Sequence, residues 1–248
     1  KLTQFIRRIE PKGVTISVGG EIGEVGHKNS PPEELRVFME GFRQRLRKGL
    51  VGISKISVQT GTSHGGVVLP DGSIAQVALD FDTLKMLSEI ARKEYGMAGA
   101  VQHGASTLPS EAFHKFVECE TAEVHLATEF QNMIYDSRHF PQELKENIYQ
   151  WLKVNAAPER KEGETDEQFF YKTRKKALGP FKREIMGLAI STRDAIAAPI
   201  EAKFEFLFKQ LNVINKKELV DKYISLKRVI SRKRKQAAAV VHDGEGAD

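Results

Sequence analysis

The chain has 248 residues, 40% hydrophobic and 29% charged, with a net charge of +5. This is the balance of a soluble globular protein able to bury one large core, or one domain with an appendage. No apolar run reaches the roughly 18–20 residues that cross a bilayer and no charged-then-apolar leader opens the chain, so no membrane partner is expected. Cys119 is the single cysteine, which excludes an internal disulfide and points to a reducing compartment, the cytoplasm by default.

In chain order, "KLTQFIRRIEPKG" reads as the tail of a helix entering a strand, and because it starts at Lys1 the chain is expected to be part of a longer protein. "GVTISVGG" (13–20) is a strand by its β-branched content and glycine borders. The next helix is expected to be capped by Ser30 with Glu33 three residues on, to carry prolines in its first turn, and to present Leu35, Phe38, Met39, Phe42 and Leu46 as one apolar stripe. "ISKISVQTG" is a second strand. A helix over 82–96, with Asp80 and Asp82 at its start and a glycine C-cap, leads to a third strand, "MAGAVQHG". "SEAFHKFVE" is a helical segment capped by Ser110 and burying Phe113, Phe116 and Val117; "TAEVHLATEF" is a fourth strand that breaks into a helix near Thr128.

From about Phe140 the alternation stops and helices alone are expected: one from Pro141 bearing Leu144, Ile148, Trp151 and Leu152, then a polar linker "APERKEGETDEQ", a break at "LGPF", and helices over 191–211 and 216–227. Alternating strands and helices predict an α/β fold with parallel strands. Residues 1–139 form its βα units, 140–235 an all-helical C-terminal extension, and 236–248 a disordered tail. The basic run "SLKRVISRKRKQ" (225–236) lacks aromatic platforms and any nucleic-acid-binding motif, so it reads as a frayed helix end, with nucleic acid not expected as a partner.

In parallel α/β folds ligands collect at the C-terminal strand ends. Here those ends carry Glu21, His64, His103 and the stretch from His125 to Thr128. Histidines from neighbouring strands can share one divalent ion, and three nitrogen or carboxylate ligands with an open position suit a catalytic zinc. The glycines after His64 and His103 allow backbone N–H groups to approach an anion, Ser106 and Thr128 add hydroxyls, and the following helices present their positive ends. A strand-end histidine can equally be an ordinary hydrogen-bonded loop residue. The glycines of "GGEIGEVG" do not follow the G-x-G-x-x-G order of a dinucleotide loop, and no acidic residue closes a second strand at the right distance. His114 and His139 read as solvated, and His242 lies in the tail.

"GGEIGEVG", "GTSHGG", "LDFDTLKMLSEI" and "VQHGASTLPSEAFHKFVECETAEVHLATEF" together resemble the second half of class II, zinc-dependent ketose-bisphosphate aldolases, with the motifs in family order over about residues 13–131. The resemblance implies a (β/α)8 TIM barrel of which this chain carries the last four βα units. It implies Zn(2+) held by His64 and His103, with Glu21 a carboxylate near the metal. Gly65, Gly104, Ala105 and Ser106 would sit on a substrate phosphate, and His125, Ala127 and Thr128 would face a dihydroxyacetone phosphate moiety. The implied reaction is retro-aldol cleavage of a phosphorylated ketose such as fructose 1,6-bisphosphate through an enediolate, in a homo-oligomer. The third zinc histidine and the catalytic aspartate beside it would precede Lys1, so the chain alone is expected to be inactive. Several positions depart from the family pattern: Val67 and Val68 stand where a lysine is usual, "HKNS" replaces an acidic pair, and His125 replaces asparagine. These departures leave open a non-catalytic descendant that binds a phosphosugar or a protein partner.

Overall fold

The computed structural model describes residues 1–23, 28–61, 69, 79–105 and 108–224. Four strands, β1 (Gly19–Glu21), β2 (Lys55–Val58), β3 (Ala100–Gln102) and β4 (Glu123–Val124), form one sheet in sequence order. Every neighbouring pair is parallel. Helix α1 (Leu2–Ile9) precedes β1; α2 (Pro32–Arg45), α3 (Phe81–Lys93) and the short α4 (Lys115–Glu118) fall between successive strands. This is the expected α/β alternation, because parallel neighbours need a crossover long enough to return the chain to the same edge.

After β4 the described residues hold helices alone: α5 (Thr128–Tyr135), α6 (Gln142–Asn155), α7 (Asp166–Thr173), α8 (Lys182–Met186), α9 (Ile190–Gln210) and α10 (Lys217–Tyr223), with 3-10 turns between some of them. No described helix is long and apolar enough to cross a membrane. The basic run from Ser225 and the C-terminal tail lie outside the described residues.

The sheet's outward face packs against α2 and α3. Ile56, Val58 and Ala100 meet Leu35, Met39, Leu84, Leu87 and Ala91, with Phe113 and Phe116 closing the same core. A second core gathers Tyr135, Phe140, Leu144, Ile148, Leu152 and Phe169. Beside it, the buried Arg174 guanidinium donates to both carboxylate oxygens of Asp136 at 2.8 and 3.1 Å and to Asn132. Helix α9 serves both cores, placing Ile196 in the second and Leu207 in the first.

Several local expectations hold. Asp80 caps α3 by accepting from the Thr83 N–H at 2.9 Å. Gly96, at φ 67°, ends that helix with its N–H on Arg92 and that of Met97 on Ala91, a pattern that needs a left-handed residue. Others are corrected. Ser30 does not cap α2; its buried hydroxyl accepts from the Gln59 N–H at 3.0 Å and ties the helix entry to the end of β2. Val117 is exposed, unlike Phe113 and Phe116, because the helix expected there is only a 3-10 turn and a four-residue segment. The first strand is short. Residues 14–18 stay outside the ladder, and pairing begins where Gly19 meets Lys55. The last residues of the expected polar linker begin α7, fixed by a capping box between Thr165 and Gln168.

Candidate functional site

Strand register decides which side chains share a face. Glu21 lies opposite Ser57, Ser57 opposite Val101, and Val101 opposite Glu123. Because side chains alternate along a strand, these four occupy one face, with Lys55 two residues before Ser57 and His103 and His125 two residues past the last rung. This is the face opposite Ile56 and Ala100, so it looks away from the helices. The polar residues of four strands therefore collect on one side of the sheet and rise toward its C-terminal edge.

Their hydrogen bonds follow that placement. His103 stands between Glu21, with Nδ1 3.2 Å from the carboxylate, and Ser57, with Nε2 3.2 Å from the hydroxyl. An ionised carboxylate only accepts, so this arrangement puts the ring proton on Nδ1 and leaves Nε2 to accept from Ser57 Oγ–H. The rings of His103 and His125 stack with centroids 4.6 Å apart. His125 Nε2 lies 3.0 Å from Glu123, whose other carboxylate oxygen is paired with the Lys55 ammonium. Burial pushes the Glu123 carboxyl up, but the hydrogen bonds from Lys55 and His125 outweigh it and hold the group below the usual carboxylate range.

A buried polar layer supports this edge. Gln102 donates from Nε2 to the His103 carbonyl at 2.6 Å, and Thr60 Oγ1 donates to Gln102 Oε1 at 2.6 Å. Both side chains are fully buried. Gly104 follows His103 at φ 68°, a conformation that side chains other than glycine adopt at a cost, so the chain turns sharply past the histidine. Ala105 is fully buried and packs in the sheet core. Beyond β4, the His125 N–H donates to the Gln102 carbonyl, Ala127 is the N-cap of α5 and Thr128 its first residue.

Of the residues expected to form a site, Glu21 and His103 are in hydrogen-bond contact and His125 stacks on His103, whereas Gly104, Ala105, Ala127 and Thr128 follow the same strand ends. His64, Gly65 and Ser106 lie outside the described residues. Among the described residues, no three His, Cys, Asp or Glu side chains are arranged to hold a metal ion. The donor pair itself fits one. Two ligands of a tetrahedral zinc, each bonded at about 2.0–2.2 Å, stand about 3.4 Å apart, and Glu21 Oε1 and His103 Nδ1 are 3.2 Å apart. Sequence reasoning missed Lys55, Ser57, Glu123, Thr60 and Gln102. The two-residue period of Lys55-x-Ser57 and Glu123-x-His125 carried the signal for the first three.

A parallel-sheet α/β protein with a histidine and carboxylate cluster at the C-terminal strand edge is thus defined by fold and site. The family model for fructose-bisphosphate aldolase class-II matches residues 3–193, and the chain belongs to that family. No curated protein matches it. One solved structure similar to it is described as a candidate fructose-1,6-biphosphate aldolase from Coccidioides immitis, at 21% identity and a TM-score of 0.34. The match covers 73% of this chain and 54% of that one, so the chain spans about half the length of that relative.

Proposed function

We propose that this chain carries the last four βα units of a (β/α)8 barrel and, in the intact protein, part of a zinc-dependent site for retro-aldol cleavage of a ketose (bis)phosphate such as fructose 1,6-bisphosphate. The observation that carries the reading is the placement of His103 between Glu21 and Ser57 at the C-terminal strand edge, in a chain of the aldolase family. His64, His103 and Glu21 would hold the metal. Zinc, when bound, supplies Lewis-acid polarisation of the ketone and stabilisation of the oxyanion that develops there.

The chain's own residues do the rest of what this half contributes. Ser57, 3.2 Å from Nε2, fixes the plane of His103 and would take its Nε2–H when Nδ1 is turned to the metal. The backbone around Gly65, Gly104, Ala105 and Ser106 would receive a phosphate, with the left-handed turn at Gly104 bringing main-chain N–H groups close. His125, Ala127 and Thr128, where the eight-residue α5 begins, would face the dihydroxyacetone phosphate moiety. In the cleavage a hydroxyl proton leaves, the adjacent carbon–carbon bond breaks into an aldehyde and an enediolate, and the enediolate carbon is reprotonated. The proton-transfer carboxylate and the third zinc histidine belong, in this reading, to the first half of the barrel. The intact enzyme is read as a cytoplasmic homo-oligomer.

The test is aldolase turnover of the full-length protein, followed by coupled reduction of dihydroxyacetone phosphate, together with its zinc content. Chelation should abolish activity and zinc restore it. His103→Ala should lower kcat by roughly 100-fold or more, beyond the usual effect of an outer-shell partner. The 248-residue chain alone should show neither turnover nor tight stoichiometric zinc. Val67 and Val68, where the family has lysine, favour a second reading, a non-catalytic phosphosugar-binding descendant. Its signature is phosphosugar binding that survives His103→Ala in a protein that cleaves no ketose phosphate.

A further inference from the structure

The inner face of the sheet holds a charged row in which two members, Lys55 and Glu123, have no role in the proposed reaction. Lys55 opens β2 and Glu123 opens β4, two strands apart, and their side chains reach across the β3 strand between them to form an ion pair. The Lys55 side chain is 18% exposed and that of Glu123 is 37% exposed. A lysine so nearly covered has given up most of its hydration, and it does so only where a fixed anion answers it. Glu123 spends its second oxygen on His125 Nε2 at 3.0 Å. Among the described residues, the titratable or charged groups recorded in contact with His125 or one step beyond belong to this row: Glu123 on its own strand, Lys55 behind it on β2, and His103 stacked against the ring from β3, with Glu21 on the far side of His103 from β1.

We propose that Lys55 and Glu123 are positioning residues for His125, fixing its ring so that Nδ1 is presented at the strand edge as an acceptor for a ligand hydroxyl. The inference rests on the aldolase reading for the identity of that ligand, a hydroxyl of a phosphorylated ketose fragment. The chemistry runs in one direction. Glu123, kept ionised by Lys55, can only accept, so His125 must donate from Nε2, and in the neutral ring Nδ1 is then an acceptor without a proton. Stacking on His103 removes the remaining rotational freedom of the ring. The His125 side chain is exposed, so a ligand can reach the ring from solvent. Lys55 itself is too far down the strand, two residues before Ser57, to touch a ligand at the edge; it acts through Glu123.

Two measurements on the full-length protein test this. The first needs no ligand. NMR should show inter-ring NOEs between His103 and His125 in the wild type, as the 4.6 Å centroid separation requires. Those NOEs should disappear in Glu123→Ala and weaken in Lys55→Met, while Lys55→Arg, which keeps the cation, retains them. Unchanged NOEs in a folded Glu123→Ala protein would overturn the positioning role.

The second is the affinity for dihydroxyacetone phosphate, by calorimetry. Glu123→Gln and Lys55→Met should each weaken binding about tenfold in the wild-type background and have no further effect in a His125→Ala background. A residue that merely stabilises the fold would weaken binding equally in both. If the NOEs depend on Glu123 but affinity does not, His125 is not a ligand contact and the proposal fails, although aldolase turnover would persist. If the wild type neither binds nor cleaves, the aldolase reading fails, the ligand role proposed for His125 fails with it, and the NOEs alone decide whether Lys55 and Glu123 position the ring.

Discussion

Thr60 and Gln102 bear directly on how firmly the site is held. Thr60 Oγ1 donates to Gln102 Oε1, and Gln102 Nε2 donates to the main-chain carbonyl of His103. Each residue has a relative exposure of 0%, so water cannot replace a lost partner. Thr60→Val keeps the shape and removes the donor, leaving the Gln102 amide oxygen short of one hydrogen bond at a cost of about 1–3 kcal/mol. Urea denaturation should show that loss as a lower midpoint at unchanged slope. A midpoint within error of wild type would mean that the pair contributes nothing to the hold on His103. At this scale His103 was legible in the sequence because it closes an apolar run and precedes a glycine. Thr60 and Gln102 were not, because polar residues at the end of a short strand look the same whether they face solvent or a buried layer. Lys55 and Glu123 were legible in principle, since both sit in register with recognised site residues, but their partners are distant in sequence and only the sheet brings them together.

Helix α3 is the element whose start the sequence marked best and whose cap has the plainest energetic consequence. Asp80 accepts from the Thr83 N–H and hydroxyl and from the Asn29 amide, so it joins the helix start to the segment before α2. The Thr83 hydrogen bonds hold the Asp80 carboxyl below the usual carboxylate range, against the opposing effect of burial. Because the folded-state value is depressed, the associated stability is fully present above the unfolded value of about 3.9 and is lost as pH falls through the folded value. Asp80→Ala should therefore cost about 1 kcal/mol at neutral pH. The gap between variant and wild type should narrow steadily below about pH 4, as urea midpoints at pH 7 and pH 3 would show; a gap that stays constant across that range would contradict an ionised cap. Ser30 shows why the equivalent signal misled for α2. A serine before two prolines satisfies every local rule for a cap, but its hydroxyl has a competing acceptor role toward Gln59 that arises only when β2 packs beside it. The first strand was displaced for a related reason: β-branched content marks residues 14–18 as extended, yet only Gly19–Glu21 find a ladder partner.

At the scale of the whole molecule, the alternation of strands and helices made the parallel sheet and its order readable, because crossover length leaves few topologies open. The relation between the sheet and the helices after it was not readable in the same way. The helical core already takes in Tyr135, ahead of Phe140, and α9 crosses back: Leu207, 2% exposed, packs in the sheet core, while Ile196 on the same helix lies in the helical core. Amphipathic periodicity shows that a helix has an apolar face without showing which of two surfaces receives each half of it. A single 21-residue helix with a side chain in each core should make the two cores unfold together, although Pro199 between those anchors removes one hydrogen bond from its ladder. Trp151, the single tryptophan, packs on the helical core and reports that half alone. Leu207→Ala should remove about 2–5 kcal/mol of packing from the sheet core. If α9 couples the halves, the Trp151 fluorescence transition should shift to lower urea by the same amount as the far-UV circular dichroism transition, although the substitution is in the other core. Should Trp151 fluorescence keep its wild-type midpoint while circular dichroism shows an earlier first step, the helical region is an independent unit and α9 is only its edge.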